Sequence, residues 1–295
     1  MIKYSVIICT YNRFDYLVET LHSVLSRIEN RSDVEVLVVD NNSGDETQTI
    51  QSIFSGQTEV KYFLELNQGL SHARNRGIKE SLGDILIFLD DDIDLDHSYF
   101  ERIQIEFENP SVNILGGKVL PFNSNMPEWL PSKYYYLASV FDLGDERLVV
   151  PMLMGANYAM RKNVADRVGY YNVELGRKGN NLMGGEESDY FNRASNFGYH
   201  LDYEPTLIVY HKIQPKLNKK YIFNYAVQCG LSEKNIDSRL HTVKYILKSF
   251  KCLLTIVLYA TYGKITPIKS HFDFLRIEYL YALGYLKIKI SEIKY

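Results

Sequence analysis

Cysteine is scarce in this chain, and the signatures of several common protein classes are missing. Only three cysteines occur among 295 residues, at positions 9, 229 and 252, without metal-ligand spacing. Cys9 falls in a predicted buried strand, so the sequence predicts reduced thiols in a cytosolic setting. No stretch reaches the ~20 apolar residues of a membrane-spanning helix. The apolar run from Ile2 to Cys9 is too short for a signal peptide and lacks its cationic leader.

Glycine-rich loops that cradle phosphates are missing as well. No Gly-x-Gly-x-x-Gly follows the first predicted strand, and the chain has no Walker A sequence. These absences argue against the dinucleotide-binding and P-loop classes. The first strand ends instead in Thr10-Tyr11-Asn12-Arg13, which is not the glycine-rich loop expected of a nucleotidyltransferase.

Charge is unevenly distributed along the chain. Residues 1–210 hold 18 basic and 31 acidic residues, whereas residues 211–295 hold 15 and 5. The net charge of −3 therefore combines an acidic body with a basic C-terminal segment. Such a segment favours an anionic partner, although a basic helix face in plain solvent has the same composition.

The first 90 residues alternate between buried-strand and helix patterns. Apolar runs predict strands at 4–10, 34–40, 60–64, 85–89 and 114–120, and helical spacing predicts helices at 16–25, 44–54 and 71–81. This alternation predicts an α/β fold with a mostly parallel sheet and right-handed crossovers.

Three consecutive carboxylates, Asp90-Asp91-Asp92, follow directly on the apolar run 85–89. They cannot belong to the core, because buried unpaired anions are very costly. In an open α/β sheet they lie at the carboxyl edge, where ligands bind. A divalent cation relieves the repulsion among such charges, and hard oxygen ligands suit Mg²⁺ or Mn²⁺. A solvated acidic loop is the alternative interpretation.

Three other polar clusters end predicted strands and should converge on the same edge. They are residues 10–13, residues 40–45, and residues 67–69 leading to 73–77. Tyr11 offers a flat face for a base, Asp40 a carboxylate for a ring N–H or ribose hydroxyl, and Arg74 a cation for phosphate. Each cluster alone has the residue types that turns favour. Because all the clusters are expected at one edge of the sheet, we favour a shared ligand.

These motifs together resemble glycosyltransferase family 2, which has the GT-A fold. The resemblance covers about the first 210 residues in unbroken order, and so many ordered matches seldom arise by chance. The matching segments are Ser5–Arg13, Val38–Asp45, Asn67–Gly77, Phe88–Asp92, Gly155–Asn157 with Arg161, Leu175–Arg177, Gly185–Asp189 with Arg193 and Gly198, Pro205 and His211.

The resemblance implies an inverting transfer from a nucleotide-sugar donor, with a UDP-sugar favoured, to a saccharide on a cell-surface polysaccharide. It implies a divalent metal, Mn²⁺ or Mg²⁺, held by Asp92 and Asp90, with His211 completing the site. Gly155 would border the donor sugar. The residues implied to hold the nucleotide or the donor are Thr10, Tyr11, Arg13, Asp40, Asn67, Arg74, Asp90, Asp91 and Asn157.

The general base is expected in the cluster Glu186-Glu187-Asp189. An inverting transfer needs a carboxylate that removes the acceptor proton as the hydroxyl attacks. The family pattern is commonly Glu-Asp, so position assigns the role to Glu187, whose side chain is one methylene longer. Glu186 and Asp189 therefore stay open as alternatives. Acids here would also complement a helix dipole.

The C-terminal segment is predicted to form two or three amphipathic helices, at 240–258 and 274–286 among others. We expect a catalytic domain at 1–212, with its nucleotide-binding half at 1–120 and its acceptor half at 121–212, and a basic helical segment at 213–295. The segment is expected either to dock the cytoplasmic enzyme on an anionic membrane or to pack on protein, including a second subunit. No nucleic-acid partner is expected. A nucleotidyltransferase and an inactive nucleotide-sugar-binding scaffold remain the alternative functions.

Overall fold

A computed structural model gives the fold of this chain. It describes residues 1–29, 31–44, 46–54, 60–179, 181–236, 243, 246–247, 250–251, 253–254 and 269–286. The chain divides into two compact units. The first comprises Met1–Phe122, Val140–Asn180 and Glu186–Lys212, and the second comprises Asn123–Ser139, Asn181–Gly185 and Ile213–Tyr295.

The first unit is built around one mixed sheet with helices between its strands. Its strands are β1 Tyr4–Thr10, β2 Val34–Asp40, β3 Val60–Leu64, β4 Ile85–Asp90, β5 Ile93–Leu95, β6 Ile114–Pro121, β7 Leu148–Val150, β8 Asn157–Arg161 and β9 Leu201–His211. Its helices are α1 Phe14–Arg27, α2 Glu46–Phe54, α3 Leu70–Glu80, α4 Tyr99–Glu108, α5 Lys162–Val168 and α6 Glu186–Asn196.

The sheet order is β3-β2-β1-β4-β8-β6-β9-β5, with β7 paired to β9. The first four strands in this order run parallel, as the alternating pattern predicts, and β8 then pairs antiparallel with both neighbours. The predicted strands agree with β1, β2 and β3 at both ends, and β4 and β6 each extend one residue further. The predicted α/β architecture is confirmed.

Apolar side chains cover both faces of the sheet. One cluster of buried residues includes Val6, Val36 and Ile87 and packs against α1 and α4, and a second includes Ile7 and Phe88 and packs against α5 and α6. Continuous Val and Ile runs form these strands because both faces of a parallel strand are buried. The sheet therefore holds its carboxyl edge rigidly.

The elements that the apolar pattern leaves unmarked lie mainly after residue 90. They are β5, α4, β7, β8, α5, α6 and β9. Several are short, and α6 begins with the polar stretch Glu186-Glu187-Ser188-Asp189, so neither helical nor alternating periodicity identifies it. These elements nevertheless supply five of the predicted site residues, namely Asn157, Glu186, Glu187, Asp189 and His211.

A bulge in the β6–β9 pair directs β9 toward the acidic run. The register shifts between Gly117 and Lys118, and β9 continues to His211, which pairs with Ile93 of β5. A Cβ on Gly117 would lie 1.8 Å from the backbone oxygen of Leu207. The close approach of the two backbones therefore requires glycine at position 117.

The second unit contains the α-helices α7 Lys219–Ile236 and α8 Lys269–Tyr285 and two short 3₁₀ helices, Ser132–Ala138 and Gln214–Lys216. Helices α7 and α8 pack through glycines, since a Cβ on Gly230 would meet the Tyr281 oxygen and one on Gly284 would meet the Val227 oxygen, each at 1.9 Å. The predicted helix at 274–286 is thus found. Most of the predicted helix at 240–258 lies outside the described residues. No helix in the described part of the chain has the length and apolar character to cross a bilayer.

Replacing Gly117 by alanine should destabilise the fold. We expect the free energy of unfolding to fall by about 3 kcal/mol, because the new Cβ meets backbone that cannot move aside as a side chain could. Urea denaturation measures the change. Gly144→Ala is the control, since its Cβ enters open space at φ +95° and should cost only about 1 kcal/mol of backbone strain. Equal losses in the two variants would contradict the account.

Candidate active site

The strand register gathers the predicted residues at one edge of the sheet. Thr10 lies opposite Asp40 in the β1–β2 pair, and Cys9 lies opposite Asp90 in the β1–β4 pair. His211 reaches the same edge from β9. The convergence expected from parallel strands therefore holds for the first, second and fourth clusters.

The three aspartates of the acidic run have different surroundings. Asp90 keeps 36% of its side chain exposed, whereas the side chains of Asp91 and Asp92 are 5% and 0% exposed. Asp91 Oδ2 accepts a hydrogen bond from Thr10 at 2.8 Å. Burial raises the pKa of Asp91 to about 7, with Arg13 acting in the opposite sense and Asp92 adding to the increase. Only Asp90 is thus substantially open to solvent.

Asp90, Asp92 and His211 form a set of ligand atoms suited to a divalent cation. One ligand atom from each residue lies within 4.8 Å of the other two. His211 Nε2 lies 2.6 Å from Asp92 Oδ1 and 3.9 Å from Asp90 Oδ2. The Lys212 amide also donates to the Asp92 carbonyl at 2.9 Å, which fixes the end of β9 beside the acids. Two carboxylates and an imidazole are suitable ligands for Mn²⁺ or Mg²⁺.

Two threonines and an arginine organise this acidic corner. The Thr20 hydroxyl bonds with the carbonyls of Asp91 and Ile93 at 2.8 and 2.9 Å and accepts from the Ile93 amide. Thr20 was not among the predicted site residues, because its position inside α1 gives no signal of the turn that it holds. Arg13 donates to both Asp91 and Asp92.

A second group of charges joins α3 to α6. Arg74 Nη1 donates to Glu186 at 2.9 Å and Nη2 donates to Glu187 at 2.8 Å. The Arg74 side chain is buried and its guanidinium lies over the Tyr171 ring, 5.6 Å from the centroid. The structure thus brings Arg74 to the predicted base cluster. Its predicted contact with the donor diphosphate stays a prediction.

The two glutamates differ in their ionisation. Burial, together with the neighbouring Glu187 charge, raises the pKa of Glu186 to about 8. Burial acts in the same sense on Glu187, but the Arg74 guanidinium outweighs it and holds the pKa of Glu187 below its usual range. Glu187 is also the more exposed, at 22% against 3% for Glu186. Of the two, Glu187 is therefore the carboxyl that ionises at the lower pH.

Asp189 has a separate set of partners. Its carboxylate accepts from Arg193 Nε at 2.9 Å, and the other guanidinium nitrogens of Arg193 donate to the carbonyls of Val168 and Tyr170. These contacts attach α6 to the end of α5 and the loop after it. The structure therefore places Asp189 in a helix-anchoring network.

Gly155 lies against the base cluster. A Cβ at this position would meet Glu187 Oε1 at 1.9 Å and Arg74 Nη2 at 2.7 Å. Glycine therefore makes room for the Glu187 carboxylate. Asn157 is fully buried, accepts from the Tyr99 hydroxyl and donates to the carbonyls of Lys118 and Leu207. Its predicted place beside the donor stays untested.

At the β2 end, the predicted nucleotide-binding residue Asp40 is held by Ser43, which lies in the predicted cluster 40–45, and by Tyr62, which sequence reasoning missed. Asp40 accepts from the Ser43 hydroxyl and, at 2.7 Å, from the Tyr62 hydroxyl. Asn41 bonds to the carbonyls of Glu65 and Asn67 and to the Gly69 amide.

Asn67, by contrast, is exposed, and its amide groups bond to Glu65. Tyr11 is half-buried at the end of β1. The turn-forming residues Asn41 and Ser43 were recognisable as a cluster, but their individual partners were not.

The family assignment follows from comparison with known proteins. The model of glycosyl transferase family 2 matches residues 5–169, which is more than half of the chain. The chain belongs to this family. The predicted resemblance is therefore confirmed.

One relative and two solved structures show how far the similarity extends. A glucosyl-dolichyl phosphate glucuronosyltransferase of Haloferax volcanii is 29% identical over 235 residues, covering 77% of this chain and 71% of the relative. A mannosyltransferase of Pyrobaculum calidifontis in complex with GDP-Man and Mn²⁺ has a TM-score of 0.67 at 14% identity, covering 96% of this chain and 87% of that one. TarS of S. aureus in complex with UDP-GlcNAc has a TM-score of 0.57 at 16% identity, covering 97% and 91%. The predicted GT-A fold is confirmed.

The Glu186 proton should give stability a distinctive pH dependence. Glu186 is neutral in the folded state up to about pH 8 but ionised in the unfolded state above about pH 4.5, so the folded state binds the extra proton. Stability should then fall by about 1.4 kcal/mol per pH unit across this window for that one proton. Glu186→Gln should remove this part of the decline between pH 5 and 8, whereas the raised pKa of Asp91 leaves a decline of its own below about pH 7. Urea denaturation at each pH measures the change.

Asp33→Asn is the control for this experiment. Its hydrogen bond with Arg31 lowers the pKa of Asp33, and burial opposes that shift only in part. The contribution of Asp33 is therefore complete above its unfolded pKa and is lost only in acid. A slope between pH 5 and 8 that Glu186→Gln leaves unchanged would show that Glu186 does not hold the proton.

Proposed function

We propose that this enzyme transfers a sugar from a nucleotide-diphosphate donor, a UDP-sugar, to a saccharide acceptor with inversion at the anomeric carbon. The observation that carries the proposal is the Asp90, Asp92 and His211 set at the carboxyl edge of a family 2 sheet. The acceptor that we propose is a lipid-linked saccharide in the assembly of a cell-surface polysaccharide.

The names of similar proteins support the choice of donor and acceptor. The two solved structures contain a nucleotide sugar, and one of them also contains Mn²⁺. The Haloferax volcanii relative is named for a dolichyl phosphate-linked sugar. A nucleotide-sugar donor, a divalent metal and a lipid-linked acceptor together form the most economical proposal for this chain.

The acidic corner would bind the leaving diphosphate. Asp90, Asp92 and His211 would hold the cation, which supplies positive charge to the departing diphosphate. Thr10 and Arg13 keep the adjacent Asp91 in place. Asp40, at the neighbouring strand end, is held for a contact with the base or ribose by Ser43 and Tyr62.

Glu187 is the general base in this proposal. A base must be ionised before it can accept the acceptor proton, and Arg74 keeps Glu187 in that form. It must also be reachable, and Glu187 is the more exposed member of the pair. The pKa of Glu186 is raised by burial, and Asp189 lies in the Arg193 network that attaches α6 to the end of α5. The three alternatives left by the sequence thus reduce to a preference for Glu187.

Asp92→Asn should abolish nearly all transfer, because it removes a fully buried ligand charge. UDP binding should weaken far more in Mn²⁺ than in EDTA, since the loss acts through the cation. Isothermal titration with UDP under both conditions measures this, after a screen of UDP- and GDP-sugars has identified the donor. Asp94→Asn, two residues further along in β5, is the control and should leave transfer activity and UDP affinity near wild type. An equal loss of UDP affinity with and without metal would count against Asp92 as a metal ligand.

The alternative function has a test of its own. Pyrophosphate exchange in place of sugar transfer would indicate a nucleotidyltransferase.

Glu187→Gln should lower kcat by about 10²–10⁴-fold, the usual contribution of a general base. Donor binding should stay near normal, because the amide keeps the size of the side chain. Steady-state kinetics of Glu187→Gln, Glu186→Gln and Asp189→Asn in parallel give the comparison. If one of the other two variants alone shows this large loss of kcat, that residue is the base instead.

We also propose that the basic C-terminal segment holds the enzyme reversibly on the inner face of the cell membrane. Val243, Ile246, Leu247, Phe250 and Leu254 recur at helical spacing and are each 50% to 70% exposed. The surrounding segment carries 15 basic and 5 acidic residues. An amphipathic helix of this composition lies in the interface of an anionic bilayer, where each nearby cation contributes about 1 kcal/mol.

Liposome co-sedimentation tests this docking with the full chain. We expect salt-sensitive binding to anionic vesicles and none to neutral ones. The double variant Leu247→Ser/Phe250→Ser should lose the binding, because it removes two apolar side chains of the stripe. The matched control Leu66→Ser/Leu82→Ser, at similarly exposed positions of the first unit, should retain it. Absence of binding at low salt would end the membrane proposal and favour packing on protein. We also propose that the catalytic domain ends at residue 212 and that the basic helical segment begins at residue 213.

A further inference from the structure

Arg13 makes two short ion pairs at the acidic corner. Its Nη1 lies 2.7 Å from Asp91 Oδ1, and its Nη2 lies 2.5 Å from Asp92 Oδ2. The arginine itself keeps a third of its side chain exposed, whereas both carboxylates are buried. A guanidinium stays charged at every working pH. Arg13 is therefore a permanent positive charge that bridges two buried acids.

Both oxygens of each carboxylate are engaged. Asp91 has Thr10 on its other oxygen, at 2.8 Å, and Asp92 has His211 Nε2 on its other oxygen, at 2.6 Å. Arg13 thus acts on the Asp92 oxygen that does not face the imidazole. The two acids stay assembled in the ligand-free protein, where three adjacent carboxylates would otherwise repel one another.

The residues around Arg13 restrict the position of its guanidinium. Asn12 adopts a left-handed conformation, φ 51°, which asparagine tolerates better than most residues. The Asn12 amide donates to the Ser43 hydroxyl at 2.9 Å, and Arg13 lies over the Tyr16 ring at 4.8 Å from its centroid. Burial by itself disfavours the cation, yet the neighbouring acids raise the pKa of Arg13. The turn after β1 therefore holds the Arg13 guanidinium beside Asp91 and Asp92.

We propose that Arg13 is the internal counter-cation of the acidic corner, and that it balances Asp91 and Asp92 whenever the divalent cation is absent. This role rests on the metal site of the proposed function, and it differs from the donor contact that the family resemblance implies for Arg13. The same charge balance lowers the affinity of the site for a divalent cation. Because Arg13 already balances part of the negative charge, the site binds a free divalent cation weakly. It binds the cation better when an anionic diphosphate is bound with it.

Thermal unfolding of Arg13→Met with EDTA and with Mn²⁺ tests the proposal. Without Arg13 two buried carboxylates lose their cation, so Tm in EDTA should fall by on the order of 10 °C. A divalent cation then replaces the missing charge, so Mn²⁺ should recover more than half of that fall and stabilise the variant more than it stabilises the wild type. A titration followed by Mn²⁺ electron paramagnetic resonance should show tighter binding by about tenfold, since the repulsion by one nearby positive charge is gone.

Arg31→Met is the matched control. Arg31 also pairs with an aspartate, Asp33, and also lies over a tyrosine ring, that of Tyr4 at 5.1 Å, but outside the acidic corner. Its Tm loss should be the same in EDTA and in Mn²⁺. An Arg13→Met loss that is equally insensitive to Mn²⁺ would overturn the proposal and leave Arg13 a purely structural residue.

The charge-balanced variant Arg13→Met/Asp91→Asn keeps the test decisive if the single variant does not fold. Removing one acid together with the cation should restore most of the Tm in EDTA and remove the excess effect of Mn²⁺. If the double variant is no more stable than the single one, the contribution of Arg13 is not charge balance and the proposal is wrong. If Mn²⁺ stabilises neither the wild type nor any variant, the metal site of the proposed function is wrong. The recovery of Tm in EDTA by the double variant still tests the role of Arg13.

Discussion

An arginine joined to two carboxylates is the interaction on which this site depends, and it occurs twice. Arg74 joins Glu186 to Glu187, and Arg13 joins Asp91 to Asp92. Acids packed this closely and withdrawn from water cannot all stay ionised without a compensating charge. Each arginine therefore supplies a compensating positive charge to its pair of carboxylates.

The two arginines also connect elements that are distant in the chain. Arg74 lies on α3 and its partners on α6, more than 110 residues later, and the adjacent Gly155 permits the approach. Around the acidic corner, the end of β9 is attached through His211 and the Lys212 amide. Both groups of charges are therefore assembled from segments that lie far apart in the chain.

The sequence predicted the residue types of this site better than their partners. β1 and β2 are recognisable because both faces are buried and both strands end in turn residues, and the acidic run stands out because three adjacent carboxylates need partners; two of the three prove to be buried and paired with Arg13. Contacts between distant segments leave no such local trace. Arg74 is expected at a phosphate yet pairs with two glutamates, and Asp189 fits the base pattern yet binds Arg193. Apolar periodicity does not identify α6, but the acids expected to complement a helix dipole do lie in its first turn.

In the proposed function, Glu187 activates an acceptor hydroxyl for direct displacement of the diphosphate. The stereochemistry of the first product formed reports on this step. With an α-linked nucleotide sugar as donor, proton NMR recorded early in the reaction should show a newly formed β-glycoside, because one in-line attack inverts the anomeric carbon. An α-glycoside as the first product would contradict the account, since retention cannot result from a single displacement assisted by a base at Glu187.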